Sequence, residues 1–257
     1  FRKDQSLFKA HGKWIKKSLK AFEQIFVKNE SSKVLLNNNG LENVSISGDT
    51  IFDSVSNQLN IDNSIPILED FKQDNLCVVA GSTWPEDEKL IVEYINSDQT
   101  NTKYVITPHN VKPSKVKDIK NSLAVNTVLY SEIEKKPLKE YKVLIINSIG
   151  LLSRAYGYAD IAYVGGAVGT TGLHNTLEAA VFGVPIIIGK NHGKFPEAKA
   201  MIELGGMFSV STYNEFYLEL NELINNEEKR KDSGNKNRQY IHENKGAVIQ
   251  ILDYLRI

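Results

Sequence analysis

The sequence predicts an α/β protein built on a parallel, doubly wound β-sheet. Short apolar segments such as "LCVVAGS" (76–82), "IAYVGG" (161–166) and "VPIIIG" (184–189) alternate with segments of helical periodicity along most of the 257 residues. This alternation is typical of βαβ units, whose strands pair in parallel. The apolar segments are continuous rather than interrupted by polar residues, as expected for strands that are covered on both faces.

The first part of the chain predicts two short βα pairs. "IFVKN" (25–29) and "NVSISGD" (43–49) are expected as strands, each followed by a helix. Residues 60–74, with Pro66, resemble a connector between domains. We therefore predict one lobe over residues 1–62, a second over 63–240, and a C-terminal helix over 241–257 that crosses back to the first lobe.

The second part of the chain predicts a longer βα series. The segments expected as strands are "LCVVAGS" (76–82), "KYVITPH" (103–109), "NTVLYS" (126–131), "KVLIIN" (142–147), "IAYVGG" (161–166) and "VPIIIG" (184–189). Helices are expected between most of them, including 85–97 and 174–183, and terminal helices follow. Acidic residues open the 85–97 segment, where the helix dipole favours negative charge.

Composition limits the classes of partner. The formal net charge is zero, so the chain offers no overall field that attracts nucleic acid, and we expect no such partner. The single cysteine, Cys77, excludes an internal disulfide and lies in an apolar segment, where a buried, unreactive thiol is expected. We expect no metal, because neither His11 nor His242 nor any other His, Cys or Asp has partners at ligand spacing.

Residues 1–30 carry eight basic and three acidic residues, a net charge of +5. Phe8, Ile15, Leu19 and Phe22 recur there at helical spacing, with Trp14 among them. Such a basic amphipathic helix is compatible with an anionic membrane surface. It is equally compatible with a solvated helix whose apolar face packs on its own domain, and the sequence leaves both open.

Polar residues and glycines cluster where four predicted strands end. These clusters are Gly81-Ser82-Thr83, Pro108-His109-Asn110, Asn147-Ser148-Ile149-Gly150 and Gly165-Gly166. In an open parallel sheet all carboxyl ends meet at one edge, where ligands bind. The sequence therefore predicts a ligand site at this edge.

The stretch "GTTGLHNTLEAAVFGVP" (169–185) is the most informative of these regions. We predict a helix that begins near His174 and Asn175, whose free N–H groups attract an anion such as phosphate. Glu178 follows one turn later and can accept hydrogen bonds from the two hydroxyls of a ribose. The stretch matches neither G-x-G-x-x-G nor a P-loop. A plain strand–turn–helix with packing glycines therefore remains an alternative.

Several stretches together resemble the 3-deoxy-D-manno-octulosonic acid (Kdo) transferases. The Gly-Gly strand end, the "GLHNTLE" segment and the downstream "GKNHGKFPE" are similar to the family's C-terminal signature. "AGSTWPEDE" (80–88) resembles its Ser-Thr-x-x-x-(E/D)-E motif, and "NSIGLLSRAYGYAD" (147–160) resembles a further family segment. The resemblance covers nearly the whole chain in the family's order. It implies a GT-B-like fold of two Rossmann-like lobes, here the donor lobe with the tail of the acceptor lobe.

The resemblance also implies an activity and site residues. It implies transfer of Kdo from CMP-Kdo to a lipid A precursor, without metal or other cofactor, at the cytoplasmic face of the bacterial inner membrane, with the full-length protein peripheral or N-terminally anchored. By position, Glu178 would hold the ribose, and Asn175 with the amides from Thr171 through Gly172 to His174 would hold the phosphate. The remaining implied donor-site residues are Ser82 and Thr83 at the cleft floor, Ile149 and Gly150 near the cytosine, the strand end Gly165-Gly166, and Asn191, Phe195 and Glu197 near the donor sugar. Simple helix capping is the alternative for Glu197.

The chain departs from the family pattern at two places. "TPHNVK" stands where the family often has Pro-Arg-His-Pro-Glu-Arg, so His109 matches while Lys112 replaces an arginine and offers only a point charge. His109 is expected to bond phosphate or a sugar carboxylate, with a structural role as the alternative, and Lys112 is alternatively a solvated lysine. The family's proposed general base, in a Gly-Glu motif, has no counterpart, and we expect it upstream of Phe1. The chain alone is then expected to bind CMP or CMP-Kdo weakly and to transfer nothing.

Three other assignments remain open. A GT-B enzyme that uses a UDP-sugar, or a nucleotide-sugar 2-epimerase, would need room and charge for a second phosphate. A non-catalytic module that binds nucleotide sugars is the third possibility. Trp84, which follows the Ser-Thr pair, is expected in the core or at its rim rather than as a stacking platform for the base.

Overall fold

A computed structural model of the chain describes residues 1–9, 12–134 and 137–256, so His11 lies outside the described residues. The chain divides into two compact units, residues 1–57 with 242–257 and residues 58–241. The strands are β1 (Ile25–Val27), β2 (Val44–Ile46), β3 (Cys77–Thr83), β4 (Lys103–Pro108), β5 (Thr127–Leu129), β6 (Val143–Ile145), β7 (Ile161–Val164), β8 (Ile186–Gly189) and β9 (Met207–Val210).

Helices flank these strands throughout the described chain. They are α1 (Lys13–Leu19), α2 (Glu30–Asn37), α3 (Thr50–Asn57), α4 (Pro66–Lys72), α5 (Pro85–Ser97), α6 (Pro113–Ser122), α7 (Leu152–Ala155), α8 (Leu177–Ala180), α9 (Pro196–Leu204), α10 (Tyr213–Asn225), α11 (Glu227–Asn244) and α12 (Ala247–Leu255). In the part of the chain that the structure describes, none of them is both long and apolar enough to cross a membrane.

The smaller unit contains a two-stranded parallel sheet of β1 and β2, with Ile25 opposite Val44. Helix α12 packs against α3, and the Gly246 amide at its start donates to the Asp53 carboxylate at 2.8 Å. Phe8, Ile15 and Leu19 pack against the core of this unit. The packed-helix alternative therefore accounts for three of the four apolar residues at helical spacing, while Trp14 and Phe22 remain 71% and 58% exposed.

The larger unit contains a seven-stranded sheet in the order β5-β6-β4-β3-β7-β8-β9, and every neighbouring pair is parallel. The predicted parallel α/β sheet is thereby confirmed. Strands β3 to β6 form one half of the sheet, with β5 at its edge, and strands β7 to β9 form the other half, with β9 at its edge. The order reverses between the adjacent strands β3 and β7, so a topological switch point lies there.

Continuous apolar strands build the core of this sheet, as their sequence predicts. Val78, Ile106 and Tyr163 belong to a buried cluster on one face. Cys77 is buried, and burial raises the pKa of its thiol to about 12, so the thiolate is disfavoured. Strand β9 is absent from the sequence-based prediction; it pairs with β8, with Ile186 opposite Met207.

Candidate functional site

The switch point brings together two of the clusters that the sequence singled out. Ser82 and Thr83 end β3, and Gly165 and Gly166 follow β7 directly beside them. The Gly165 amide donates to the Gly81 carbonyl at 3.0 Å, which continues the pairing of the strands into the turn. Ser82 has φ of +52°, and the register of β3 against β4 shifts at this residue. The backbone thus turns sharply at the carboxyl end of β3.

Gly165 and Gly166 are required by close packing of the backbone. A Cβ on Gly165 would lie 2.4 Å from the Ser82 carbonyl oxygen, which no side chain tolerates. Gly166 has φ of +97°, and a Cβ there would lie 2.0 Å from the Gly172 carbonyl oxygen. The two glycines therefore let the loop after β7 fold back tightly against the end of β3.

A buried carboxylate that sequence reasoning missed organises this edge. Asp87 is fully buried and accepts hydrogen bonds from the Trp84 amide and the Gly166 amide, both at 2.9 Å, and from the Tyr163 hydroxyl at 2.7 Å. Its sequence signal was its place in the first turn of α5 after a Ser-Thr strand end, which is also the place of an ordinary helix-capping acid. Asp87 therefore fixes the β3–α5 turn and the β7 glycine turn relative to each other.

Three aromatic side chains from distant parts of the sequence meet above this turn. The rings of Trp84 and His109 stack with centroids 4.3 Å apart and planes 19° apart, and His109 lies 4.7 Å from His174. The Trp84 indole N–H donates to Nε2 of His174 at 3.1 Å. The structure thus brings His109 and His174 together, and it adds Trp84, which the sequence gave no reason to place beside them.

His174 is half-buried in this cluster. Burial and the neighbouring His109 imidazole lower the pKa of His174, and these effects outweigh the opposite influence of Asp87. The neutral imidazole is therefore the prevailing form near neutral pH.

The prediction of a helix beginning near His174 was wrong. Helix α8 begins at Leu177, and the amides of Gly172 and His174 donate to the carbonyls of Gly166 and Gly165 at 3.0 and 3.1 Å. The Asn175 side chain accepts from the Leu177 amide at 3.1 Å. The internal bonds of the glycine loop delay the helix by three residues. Two of the amides expected to bind phosphate are already used, and a four-residue helix supplies little dipole.

Glu178 and Asn175 lie side by side at the start of α8. The Asn175 amide donates to the Glu178 carboxylate at 3.0 Å, so the acid is held by a neutral group rather than neutralised by a cation. Glu178 also acts on Tyr156. The pKa of the Tyr156 hydroxyl is raised mainly by burial and to a smaller extent by the negative charge of Glu178. The same hydroxyl lies 2.1 Å from the place of a Cβ on Gly81, at the end of β3.

Glu88, another acid of α5, has a perturbed pKa at the same edge. Burial raises the pKa of Glu88 to about 7, while a hydrogen bond from the Thr83 hydroxyl at 3.3 Å acts in the opposite direction. The nearby acid Asp87 raises it further. Glu88 is therefore partly protonated near neutral pH.

Sequence comparison identifies relatives of this chain among curated proteins. No family model matches it. A curated 3-deoxy-D-manno-octulosonic acid transferase of Haemophilus influenzae is 28% identical over 221 residues, 84% of this chain and 52% of the relative. A protein of the same name from Aquifex aeolicus is 26% identical over 57% of this chain and 41% of the relative.

The chain is homologous to the Kdo transferases. It spans about half the length of the Haemophilus relative. The C-terminal CMP-Kdo binding domain of WaaA from Acinetobacter baumannii shares the fold, with a TM-score of 0.59 and 19% identity over 75% of this chain and 99% of that one. A UDP-GlcNAc 2-epimerase from Neisseria meningitidis also shares it, with a TM-score of 0.66 and 18% identity over 99% of this chain and 67% of that one. These structures place the chain in the GT-B fold class.

Two further residues implied by the Kdo transferase resemblance, Asn191 and Thr171, are hydrogen-bonded to the glycine loop. Asn191 is tied to the glycine loop, because its side chain donates to the carbonyls of Val168 and Gly169 at 3.2 and 2.6 Å. Thr171 donates its hydroxyl to the Gly166 carbonyl at 3.2 Å. Phe195 and Glu197 stand at the start of α9.

The structure does not draw every predicted residue into one cluster. Ile149 is 89% exposed and Gly150 has φ of +91°, so both form an open turn after β6. Lys112 is exposed at the N-cap of α6, without a side-chain capping bond. Within the described ranges, no group of three or more His, Cys, Asp or Glu is placed to hold a metal.

Proposed function

We propose that this chain forms the donor-binding part of a Kdo transferase that moves Kdo from CMP-Kdo to a lipid A precursor. The observation that carries the proposal is the switch-point edge, where a tight glycine turn, two imidazoles and an Asn–Glu pair meet in a homologue of the Kdo transferases. Ligands of open parallel sheets bind at this position. We propose no metal or other cofactor.

The nucleotide would lie along the loop from Gly165 to Glu178. In this proposal Glu178, held by Asn175, accepts hydrogen bonds from the two ribose hydroxyls. The open backbone at Ile149 and Gly150 would border the cytosine. Because the Gly172 and His174 amides are used internally, the phosphate would depend on side chains and the remaining amides of this loop.

The sugar would lie toward the ends of β3 and β4. Ser82 and Thr83 would form the floor, and His109 and Lys112 would face the phosphate or the sugar carboxylate. Asn191, Phe195 and Glu197 would border the sugar from the side of β8. These roles follow from the resemblance together with the position of each residue at the carboxyl edge.

In the proposed reaction, an acceptor hydroxyl oxygen attacks the anomeric carbon of Kdo while the bond from that carbon to the phosphate oxygen breaks. CMP leaves with the bonding electrons, and a general base takes the hydroxyl proton. The residues described here would bind and orient CMP-Kdo and stabilise the negative charge that develops on the leaving phosphate. The base is assigned to no residue of this chain.

Calorimetric titration with CMP and UDP tests the nucleotide assignment. We expect CMP to bind more tightly than UDP, and Glu178→Ala to weaken CMP binding at least about tenfold, because it removes a charge-assisted bond to the ribose. Glu203→Ala, an exposed acid on α9, is the matched control and should leave CMP affinity unchanged. Tighter binding of UDP would favour a UDP-sugar enzyme or epimerase instead. Unchanged CMP affinity in Glu178→Ala would refute the ribose assignment.

We also propose that the N-terminal segment contacts the cytoplasmic face of the inner membrane. Trp14 is 71% exposed on α1, beside Lys16 and Lys17. An exposed indole with adjacent lysines suits an anionic lipid interface. Co-sedimentation with vesicles containing anionic lipid should fall clearly in Trp14→Ala, and no sedimentation of the wild type would exclude this contact.

A further inference from the structure

The Trp84–His174 hydrogen bond fixes which nitrogen of His174 carries the proton. An indole N–H can only donate, so Nε2 of His174 must be the acceptor at 3.1 Å. The proton of the neutral ring is then on Nδ1. Among the described residues, none accepts a hydrogen bond from Nδ1, so this N–H is available to a ligand.

Both partners of this bond are held by the backbone around them. The Trp84 amide and the Gly166 amide donate to the same oxygen of Asp87, each at 2.9 Å. The His174 amide donates to the Gly165 carbonyl at 3.1 Å. The indole and the imidazole therefore meet in a fixed geometry.

His109 completes the arrangement from the end of β4. Its ring stacks on the Trp84 indole, so the indole is packed against one imidazole and bonded to the other. A tryptophan in this place does two things that a smaller aromatic residue does only in part. It fills the space beside His109, and it supplies the N–H that orients His174.

Resting on the proposed function, we propose that Trp84 is a positioning residue that holds His174 as the Nδ1–H tautomer, so that its imidazole donates to an anionic oxygen of the bound sugar nucleotide. The oxygen belongs to the phosphate or to the sugar carboxylate, both of which accept hydrogen bonds. His174 then supplies a side-chain donor at a loop where the amides of Gly172 and His174 already donate to carbonyls of the protein.

Protonation of His174 would disrupt this arrangement. A second proton would have to occupy Nε2, which would then face the Trp84 N–H with no lone pair to accept it. The titratable groups that act on His174 are His109 and Asp87, and the pKa of His174, which burial and His109 lower, favours the neutral ring.

Trp84→Phe tests the proposal, because phenylalanine keeps an aromatic ring beside His109 but has no N–H. Long-range ¹H–¹⁵N spectra of the imidazoles report the tautomer directly and need no ligand. We expect His174 of the wild type and of Trp14→Phe, the matched control, to be the Nδ1–H tautomer. We expect Trp84→Phe to lose that preference.

Calorimetry then identifies the oxygen. Loss of one oriented hydrogen bond should weaken binding about three- to tenfold. If the weakening in Trp84→Phe appears with CMP but not with cytidine, the phosphate is the acceptor. If it appears only with CMP-Kdo, the carboxylate is the acceptor.

Two results separate this proposal from the proposed function. If the wild type shows the Nδ1–H tautomer but binds neither CMP nor CMP-Kdo, the proposed function fails. If Trp84→Phe keeps the tautomer, or binds all three ligands as the wild type does, the positioning role is overturned. If Trp84→Phe folds poorly, two variants of His174 replace it. His174→Asn can place an N–H donor near the position of Nδ1, whereas His174→Gln places it near Nε2, so His174→Asn should bind CMP-Kdo more tightly. Equal affinities of the two variants would also overturn the positioning role.

Discussion

The two edges of the seven-stranded sheet both carry polar side chains, but these side chains are paired to different extents. At the amino edge, the charged groups beside β4 and β6 are paired within the protein, while the buried Oδ1 of Asn237 beside β8 and β9 has no hydrogen-bond partner in the described chain. At the carboxyl edge, several buried or half-buried polar groups have no protein partner in the described chain. Because burying an unpaired polar group costs free energy, the three unpaired hydroxyls of Thr107, Ser148 and Thr176 favour the carboxyl edge as the one that binds a ligand.

At the amino ends of β4 and β6 the polar side chains form a closed network. Lys142 donates to the Asp98 carboxylate at 3.0 Å, and the Tyr104 hydroxyl donates to the same acid at 2.7 Å. Burial alone would raise the pKa of Asp98, but hydrogen bonds from Thr100, Tyr104 and Lys142 together lower it. The buried Lys103 donates to two backbone carbonyls at 2.7 and 2.6 Å. These bonds leave little for a ligand to satisfy.

The carboxyl edge is open by comparison. Among the described residues, the buried hydroxyls of Thr107, Ser148 and Thr176 lack a hydrogen-bond partner. Thr107 lies at the end of β4, Ser148 follows β6, and Thr176 precedes α8. With Nδ1 of His174, these groups come from three separate chain segments yet share one edge. The difference teaches that, along β4 and β6, the two edges are distinguished by unmet hydrogen-bonding capacity rather than by polarity.

The largest expected effect comes from the amino edge. Asp98→Ala leaves Lys142 and Tyr104 without their shared acceptor and should lower the free energy of unfolding by about 3 kcal/mol. Affinity of the folded protein for CMP should not change. Urea unfolding and calorimetry measure the two quantities, with the exposed Asp118→Ala as the matched control. A loss of CMP affinity in Asp98→Ala would break the division between a structural edge and a binding edge.

Gly166→Ala tests the carboxyl edge with a smaller effect on stability. The positive φ and the clash with the Gly172 carbonyl should cost about 2 kcal/mol and displace the glycine loop. CMP binding should be lost while the protein remains folded. Gly193→Ala, at a loop glycine with open space around it, is the control for glycine replacement. Normal CMP binding by Gly166→Ala would show that the loop geometry is not needed for the site.

The sheet and the location of the site could be predicted from the sequence because they depend on local pattern. Continuous apolar segments identify strands, and parallel pairing brings their ends to one edge, as it does for Ser82 and Gly165. Strand β9 was missed because four residues after a Gly-Gly pair give little periodicity. The start of α8 was misplaced because side-chain and loop hydrogen bonds, not propensity, decide it.

The detailed chemistry of the site could not be predicted, because it depends on contacts between distant residues. Trp84 and His174 are 90 residues apart and meet only because β3 and β7 are neighbours. In the sequence, Asp87 is one of three acidic residues in the first turn of α5, where the helix dipole favours negative charge. No local sequence pattern distinguishes it from Glu86 or Glu88. Which acid is buried follows from the packing of α5 on the sheet.

The smallest expected effect concerns Glu88 and sharpens the comparison through its pH dependence. Because its pKa in the folded protein is raised from 4.5 to about 7, this group costs stability increasingly as the pH rises through that interval, and the full cost is present above pH 7. Glu88→Gln stays neutral and can still accept from Thr83, so it should be more stable than the wild type at pH 8, by on the order of 1 kcal/mol after allowance for solvent screening. At pH 4 the two proteins should unfold alike. Urea unfolding at both pH values measures this, with Glu93→Gln, an exposed acid of the same helix, as control. If the difference in stability between Glu88→Gln and the wild type does not grow with pH, ionised Glu88 does not destabilise the protein. The contrast with Asp98, whose charge is stabilised by hydrogen bonds, would then be wrong.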